Sequence, residues 1–520
     1  MHTRTYRLLV LSLSILSTSA CTVDHNTPQA DTDSDSSSGS SSSTTSNGDT
    51  GSAEGDSTGP GETDGGAAPL EEVFADAVAD GFSGVALVRH EGEIVFHDAS
   101  GFASRADEVP NTPQTPIVIG SITKQFTGAA VLRFREQGSL ELDATLGDYL
   151  TGVPADKADI TLHQLLTHTA GVTGSLGPDD EEVGKDEYLQ RFFDSALESE
   201  PGTFHNYSNV GYSVLAAVLE EVSGKGYQQI LHDEFFEPLG MDHTGHLLPS
   251  WDGPLPAIGY LEDMADDPLA RPHDALGYYW NLRGNGGLIS TAEDLLLWDD
   301  ALSSPGMAFD EESLELLTTP HVSEGTGAPT FYAYGWVIEE TPIGSLVWHD
   351  GGNGFFYGHF YRYVDADLQV VVLANETTDA ADTLTRQLAQ AVRPELTPET
   401  WELLFLQEGE LMDTTDTIAF ETDVLEGETH AVAVSLFLTE GAGQWQLLDP
   451  QGEAVESGVV SPDAPIDGQF IVEGDPGTWR LELDVDGATG EFLAGWGRLV
   501  GQGAPCPEGA QCVELPPRAP

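Results

Sequence analysis

The sequence predicts an α+β domain, with helices set between strands that share one sheet, followed by a small all-β sandwich. Three observations carry this. Helix-period segments lie between an N-terminal hairpin and a run of late strands, so the first and last strands of the domain are expected to share one sheet. Past Pro394 the apolar pattern turns to alternation with no helix-period segment, which reads as a sandwich. Before Leu70 the chain offers a short apolar run and then almost no apolar side chains, so order is expected to begin there.

The first 21 residues read as a targeting segment. Arg4 and Arg7 precede the apolar run Leu8 to Leu16, which is too short to span a bilayer. Ser17-Thr18-Ser19-Ala20-Cys21 is similar to a bacterial lipobox, with Thr18 where leucine is usual. It predicts a lipidated Cys21, hence an exported protein with a lipid anchor in a membrane. The alternative is ordinary signal cleavage and release. Residues 22–68, rich in Ser, Thr, Gly and Asp, cannot bury a core and read as a disordered acidic tether. Asp31, Asp33 and Asp35 alternate as in a calcium loop, but its glycine and closing glutamate are missing. No metal site and no cofactor are predicted.

The α+β domain is expected over residues 69–393. Glu71 to Ala79 reads as a helix, and Gly84 to Arg89 with Glu93 to His97 as a hairpin about His90-Glu91-Gly92. Helices are expected from Ser121 to Gln137, from Asn209 to Val222 with Gly224 ending it, and from Thr291 to Leu302. Strands then follow at Tyr334 to Ile338, Ser345 to His349, His359 to Tyr363 and Leu368 to Leu373, closed by a helix from Thr378 to Val392. Over 394–500, strands are expected at Thr417 to Val424, His430 to Leu438, Gln444 to Leu448, Phe470 to Glu473, Trp479 to Val485 and Glu491 to Arg498. Residues 501–520 read as a tail in which Cys506 and Cys512 are placed to form a disulfide. With three cysteines in the chain, Cys21 is the odd one, and lipidation gives it a role.

Acidic residues number 87 against 19 basic ones, a formal net charge of -68. Such a field repels nucleic acid and anionic membrane surfaces, which excludes both as partners. It suits a solubilising surface in an extracellular or salty environment.

Three short motifs carry chemistry. In Ser121-Ile122-Thr123-Lys124 the i and i+3 positions share a helix face, so Lys124 can reach the Ser121 hydroxyl, a weak nucleophile that needs a base. Lysine is scarce here: only Lys124, Lys157, Lys185 and Lys225 occur. In Tyr207-Ser208-Asn209 a tyrosine beside a lysine can hold a depressed pKa and act as base, while Asn209 can accept from the lysine. In His349-Asp350-Gly351-Gly352 the strand sends His349 and Asp350 to opposite faces. There the glycines let a substrate carbonyl approach a backbone N–H. Taken singly these residues also read as a helix cap, a core aromatic and a satisfied strand histidine.

Together and in this order the motifs resemble those of the serine β-lactamase and penicillin-binding-protein superfamily. The likeness is closest to the branch of class C β-lactamases, D-alanyl-D-alanine carboxypeptidases, D-aminopeptidases and related esterases. Leu165-Leu166-Thr167-His168-Thr169-Ala170-Gly171, Pro238-Leu239-Gly240-Met241 and Gly286-Gly287-Leu288-Ile289-Ser290-Thr291 are also family-like and read as structural. The resemblance implies a β-lactamase-like domain, an antiparallel sheet flanked by helices plus a helical subdomain, in which Ser121 is the acylated nucleophile. It implies that Lys124 and Tyr207 move the proton, Asn209 orients Lys124 and the substrate, and His349 assists from the opposite strand. The backbone N–H groups of Ser121 and Gly352 would form the oxyanion hole, with Gly351 and Gly352 against the substrate.

The implied function is a serine hydrolase acting on a small-molecule ester, amide or D-peptide, an esterase or D-amino-acid-specific amidase. Alternatives are a D-Ala-D-Ala carboxypeptidase or β-lactamase, and a non-catalytic penicillin-binding or sensor-like surface protein. The third motif departs from the Lys-Thr-Gly of true β-lactamases. With His349 there, beginning to charge only below about pH 6, neutral or cationic substrates are expected to be favoured. Arg283 is the one other candidate cation near the Gly286-Gly287 segment.

Overall fold

A computed structural model describes residues 69–515 of the chain apart from 252, 326–329, 377–379, 426–427, 462–465, 474–475 and 505–511. The targeting segment, the tether, Cys21 and Cys506 lie outside the described residues. Among those described, no helix is long and apolar enough to cross a membrane.

The first half of the architecture is an eight-stranded antiparallel sheet. In chain order its strands are β1 (Gly84–His90), β2 (Glu93–Ser100), β3 (Val322–Ser323), β4 (Thr330–Tyr332), β5 (Val337–Thr341), β6 (Gly344–Gly352), β7 (Tyr357–Tyr363) and β8 (Leu368–Ala374). Their spatial order is β3-β4-β5-β6-β7-β8-β1-β2. Val85 faces Leu373 across the β1–β8 pair, so the N-terminal hairpin and the last strand meet as the sequence predicts. Every residue of β8 is buried, because helices cover both faces of the sheet. Ala86, Val88, Val370 and Val372 pack with α1 (Leu70–Ala79) and the closing helix Ala380–Val392. Val85, Leu87, Val371 and Leu373 face the opposite layer. There lie α2 (Thr123–Glu136), α3 (Asn209–Ser223) and α4 (Ala292–Ser303).

In α2 every residue from Thr123 to Leu132 is buried, so this helix is core all round. It starts later than expected. Gly120–Ile122 forms a 3-10 turn, with Gly120 at φ +52, and the α-helix begins only at Thr123. Ser121 therefore sits on a tight turn in front of the helix. α3 is bounded as its sequence suggests. Ser208 accepts from the Gly211 amide at its start, and Gly224 ends it in the left-handed conformation. The strand expected over Tyr334 to Ile338 is displaced. Tyr334-Gly335 is instead the turn between β4 and β5, where Gly335 (φ +87) lies so close to α2 that a Cβ would stand 2.6 Å from the Lys124 carbonyl oxygen. α4 is tied to the sheet by Asp299, which is buried between Arg89 on β1 and Arg362 on β7 and bonds to both.

After a short turn at Pro394–Leu396 the chain is all β. The expected strands are present but joined into longer ones: β9 (Glu399–Val424), β10 (Thr429–Leu448), β11 (Ala454–Val460), β12 (Ile466–Glu473), β13 (Gly477–Gln502) and β14 (Cys512–Leu515). Bulges interrupt β9 between Leu411 and Thr414 and β10 between Leu438 and Ala442, letting each strand bend and continue. β12 pairs with the first half of β10 and β11 with its second half. Val432, Leu436, Trp445, Leu481, Leu483 and Trp496, from both halves, share one core. The region past 500 is not all tail, since Cys512–Leu515 pairs with Glu399–Glu402.

Candidate active site

The 3-10 turn carrying Ser121 crosses β6 at its Gly351-Gly352 end, and the crossing is too close for side chains. A Cβ on Gly351 would lie 2.1 Å from the Ile119 carbonyl oxygen and 2.6 Å from the Ser121 nitrogen. A Cβ on Gly120 would lie 2.6 Å from the Gly352 nitrogen. Beside the approach to a substrate expected from the sequence, the absence of a side chain at Gly351 lets the Ser121 turn lie against the strand, so that the Ser121 and Gly352 amides flank one crossing.

The Lys124 amine sits below that crossing, wholly buried. Its Nζ is 2.9 Å from Ser121 Oγ, 2.8 Å from Asn209 Oδ1 and 2.8 Å from the Asn285 carbonyl oxygen. None of the three partners is charged. Burial lowers the Lys124 pKa to about 7, against the smaller opposing pull of Asp350 and Asp179. A neutral amine has two hydrogens and one lone pair. Asn209 and Asn285 are pure acceptors at the atoms concerned and take the hydrogens, which leaves the lone pair for the Ser121 hydroxyl.

Tyr207 lies over this amine, with Nζ 4.8 Å from its ring centre. The residue is 37% exposed, so part of its ring meets solvent while its hydroxyl turns in toward Ser121. The depressed phenol expected from the sequence is not what the surroundings produce. Desolvation of the hydroxyl pushes the Tyr207 pKa up, and the carboxylates of Asp350 and Glu324 push it further; the bond to Ser121 offsets only part. Tyr207 is therefore a phenol at neutral pH, and Lys124 is the group able to accept a proton.

His349 and Asp350 do point to opposite sides of β6: His349 is buried, whereas the Asp350 side chain is 59% exposed. His349 Nδ1 faces the Asp350 carbonyl oxygen, and its Nε2 lies 3.0 Å from the Tyr332 hydroxyl. The carbonyl requires the proton on Nδ1, so Nε2 accepts from Tyr332. Burial lowers the His349 pKa to about 4, more than the neighbouring Asp350 restores. The expectation that it charges below pH 6 is thus corrected downward. Arg283 supplies no cation to the cleft. It is buried and bonds to Glu220, Asp274 and the Tyr278 carbonyl.

Sequence reasoning missed three groups. The Asn285 carbonyl holds Lys124, and the only hint was its place before Gly286-Gly287. Tyr332 partners His349. His168, in the segment read as structural, lies against Tyr207 with ring centres 4.2 Å apart and the rings tilted by 40°.

Fold and site define the class: the superfamily of β-lactamases and penicillin-binding proteins, here with a serine beside a buried lysine. The Beta-lactamase family model matches residues 70–393, and the chain belongs to that family. PbpX of Bacillus subtilis (strain 168) is 33% identical over 261 residues, which are 49% of this chain and 63% of the relative, so the match spans just under two thirds of that protein. A crystal structure of a penicillin-binding protein from Bacillus halodurans superposes with a TM-score of 0.54 at 28% identity, over 62% of this chain and 98% of that one. A class C β-lactamase from Rhodobacter sphaeroides, 23% identical, shares the fold at a TM-score of 0.53 over 62% of this chain and 99% of its own.

Proposed function

We propose that this protein hydrolyses neutral or cationic acyl substrates, esters or D-amino-acid amides, through an acyl-enzyme at Ser121. The observation that carries this is the Lys124 amine, whose hydrogens are taken by Asn209 and Asn285 and whose lone pair faces Ser121 Oγ. Ser121 Oγ attacks the acyl carbon as its proton passes to Lys124 Nζ. The Ser121 and Gly352 amides meet the oxygen that gains charge. The bond to the leaving group breaks, and that group departs with the proton, returned from Lys124 by way of the Tyr207 hydroxyl. Water then attacks the acyl-enzyme by the reverse route, releasing the acid and Ser121. His349 stands where β-lactamase-type sites hold a permanent cation, and it is neutral. The exposed Asp350 carboxylate beside it disfavours substrates with a carboxylate next to the scissile bond.

The test is a fluorophosphonate label together with a substrate panel. Wild type is expected to be labelled at Ser121, and Ser121→Ala to lose both label and turnover while still folding. A methyl ester is expected to outpace its matched free acid. A faster free acid would point to a carboxypeptidase or β-lactamase. Labelling without turnover of any substrate would point to a sensor-like protein. For the membrane anchor proposed at Cys21, labelled palmitate should tag wild type and not Cys21→Ser.

A further inference from the structure

Tyr207 stands on a non-helical segment just before α3, and nothing in its own sequence explains how a part-exposed ring on a loop is held over Lys124. The answer lies in His168, which touches the segment on both sides of Tyr207. The His168 carbonyl oxygen accepts from the Asn206 amide at 2.7 Å. Its ring Nδ1 accepts from the Ser208 amide at 3.0 Å. Between these two anchors its ring lies against the Tyr207 ring, centres 4.2 Å apart, with Tyr332 at 4.5 Å, Tyr212 at 5.0 Å and His205 at 5.6 Å also around it. His168 directs its carbonyl and its ring at this one segment from a left-handed backbone, φ +57, a conformation that disfavours side chains other than Asn, Asp and His. The same zipper continues outward: Gly202 donates to the Thr169 carbonyl, and Glu198 to that of Gly171. The ring acts here as an acceptor, so it is neutral with its proton on Nε2. That Nε2 is buried with no partner, so the ring keeps this orientation although one of its polar atoms goes unmatched.

We propose that His168 is a positioning residue for Tyr207: its left-handed backbone and ring acceptor clip the two amides flanking Tyr207 and set the phenol over the serine–lysine pair. The proposal rests on the reading of Ser121, Lys124 and Tyr207 given above. His168 touches no reacting atom.

The full chain carries the test. His168→Gly keeps the backbone conformation and the Asn206 anchor but loses the Ser208 anchor and the ring contact. His168→Asn keeps the left-handed preference and places an acceptor near the position of Nδ1. For a neutral ester, His168→Gly is expected to lower kcat by about a hundredfold, the scale of a misplaced proton-transfer group, with KM little changed. His168→Asn is expected to recover most of that loss. In a Tyr207→Phe background His168→Gly is expected to cost almost nothing further, since the two act through one group. Hydrogen exchange gives a readout independent of catalysis: the Ser208 amide should lose protection in His168→Gly and keep it in His168→Asn. Equal losses from His168→Gly with and without the Tyr207 hydroxyl would overturn the proposal. So would a folded His168→Asn protein as impaired as His168→Gly, or unchanged Ser208 exchange in His168→Gly. A fully active Tyr207→Phe enzyme would instead refute the role given to Tyr207, while the exchange data would still decide whether the clip exists.

Discussion

At Lys124, two amide oxygens decide what an amine can do. Asn209 and Asn285 hold it by its hydrogens, and neither carries a charge that would keep it protonated. The direction of the resulting shift fixes the direction of the pH effect. Below about pH 7 the amine gains a proton and can no longer accept one from Ser121, so activity should fall as pH drops through that value. For a neutral ester, kcat/KM measured from pH 5 to 9 should show an acid limb near 7, far below the range of free lysine. Asp350 raises the Lys124 pKa, so Asp350→Asn should move this limb to lower pH. The move should be small because the carboxylate is largely solvated. A limb that stays in place, or moves upward, would show that another group is titrating. His349 does not charge above about pH 5, so it cannot blur this limb.

Elements place these residues, and two junctions matter most. At the first, the Ser121 turn meets β6 with no room for a methyl group. Gly351→Ala sets a Cβ against backbone atoms on the other side, which cannot swing aside as a side chain can. It should cut the rate of fluorophosphonate labelling by at least about tenfold while leaving most of the thermal stability, because the strain falls on the crossing itself. Labelling at the wild-type rate would mean the crossing is looser than its geometry. At the second junction, Asp299 joins α4 to β1 and β7. Asp299→Ala leaves the buried Arg362 without its carboxylate while Arg89 keeps Asp300 and Gln369, and breaking a buried ion pair in this way costs about 3–5 kcal/mol. Urea unfolding should show a midpoint lowered accordingly. The elements also show what a sequence can reveal. Ser121, Lys124 and Asn209 were legible because local rules place them: an i, i+3 spacing and the first turn of a capped helix. Asn285 was not, because it contributes a backbone carbonyl that carries no residue signature. His168 was not, because its partners are amides some forty positions away. Tyr334 to Ile338 read as a strand because its aromatic and β-branched residues favour one, yet contact with α2 turns the chain at Gly335. In the β region the strand segments were visible, but their fusion through bulges was not, since a bulge looks like a turn when only alternation is read.

In the whole molecule, every residue assigned to the site lies between Gly120 and Gly352, on one sheet, the helices beside it and the segments that lead into them. Removing residues 395–520 should therefore leave measurable ester hydrolysis; a truncated protein that folds cooperatively and is inactive would show that the β region contributes to the reaction. Shortening the chain from the same end by a little more should have a different outcome. The strand that seals the sheet is nearly the last of its domain, and it is inserted between β7 and β1. A growing chain that has already made the serine turn, Lys124 and Asn209 has β2 beside β1 but still lacks β8 on its other edge, and the loop it must close runs almost the length of the domain. Until Ala374 has been made, the apolar residues of β1 have no covering strand and one edge of the hairpin is bare. A fragment ending at residue 366 should thus be digested rapidly by protease where one ending at 393 resists. Chemistry encoded by residue 209 waits for residue 374, so the scaffold that carries Ser121 closes late, and an unfinished chain holds its reactive residues before it holds the sheet that would set them in place.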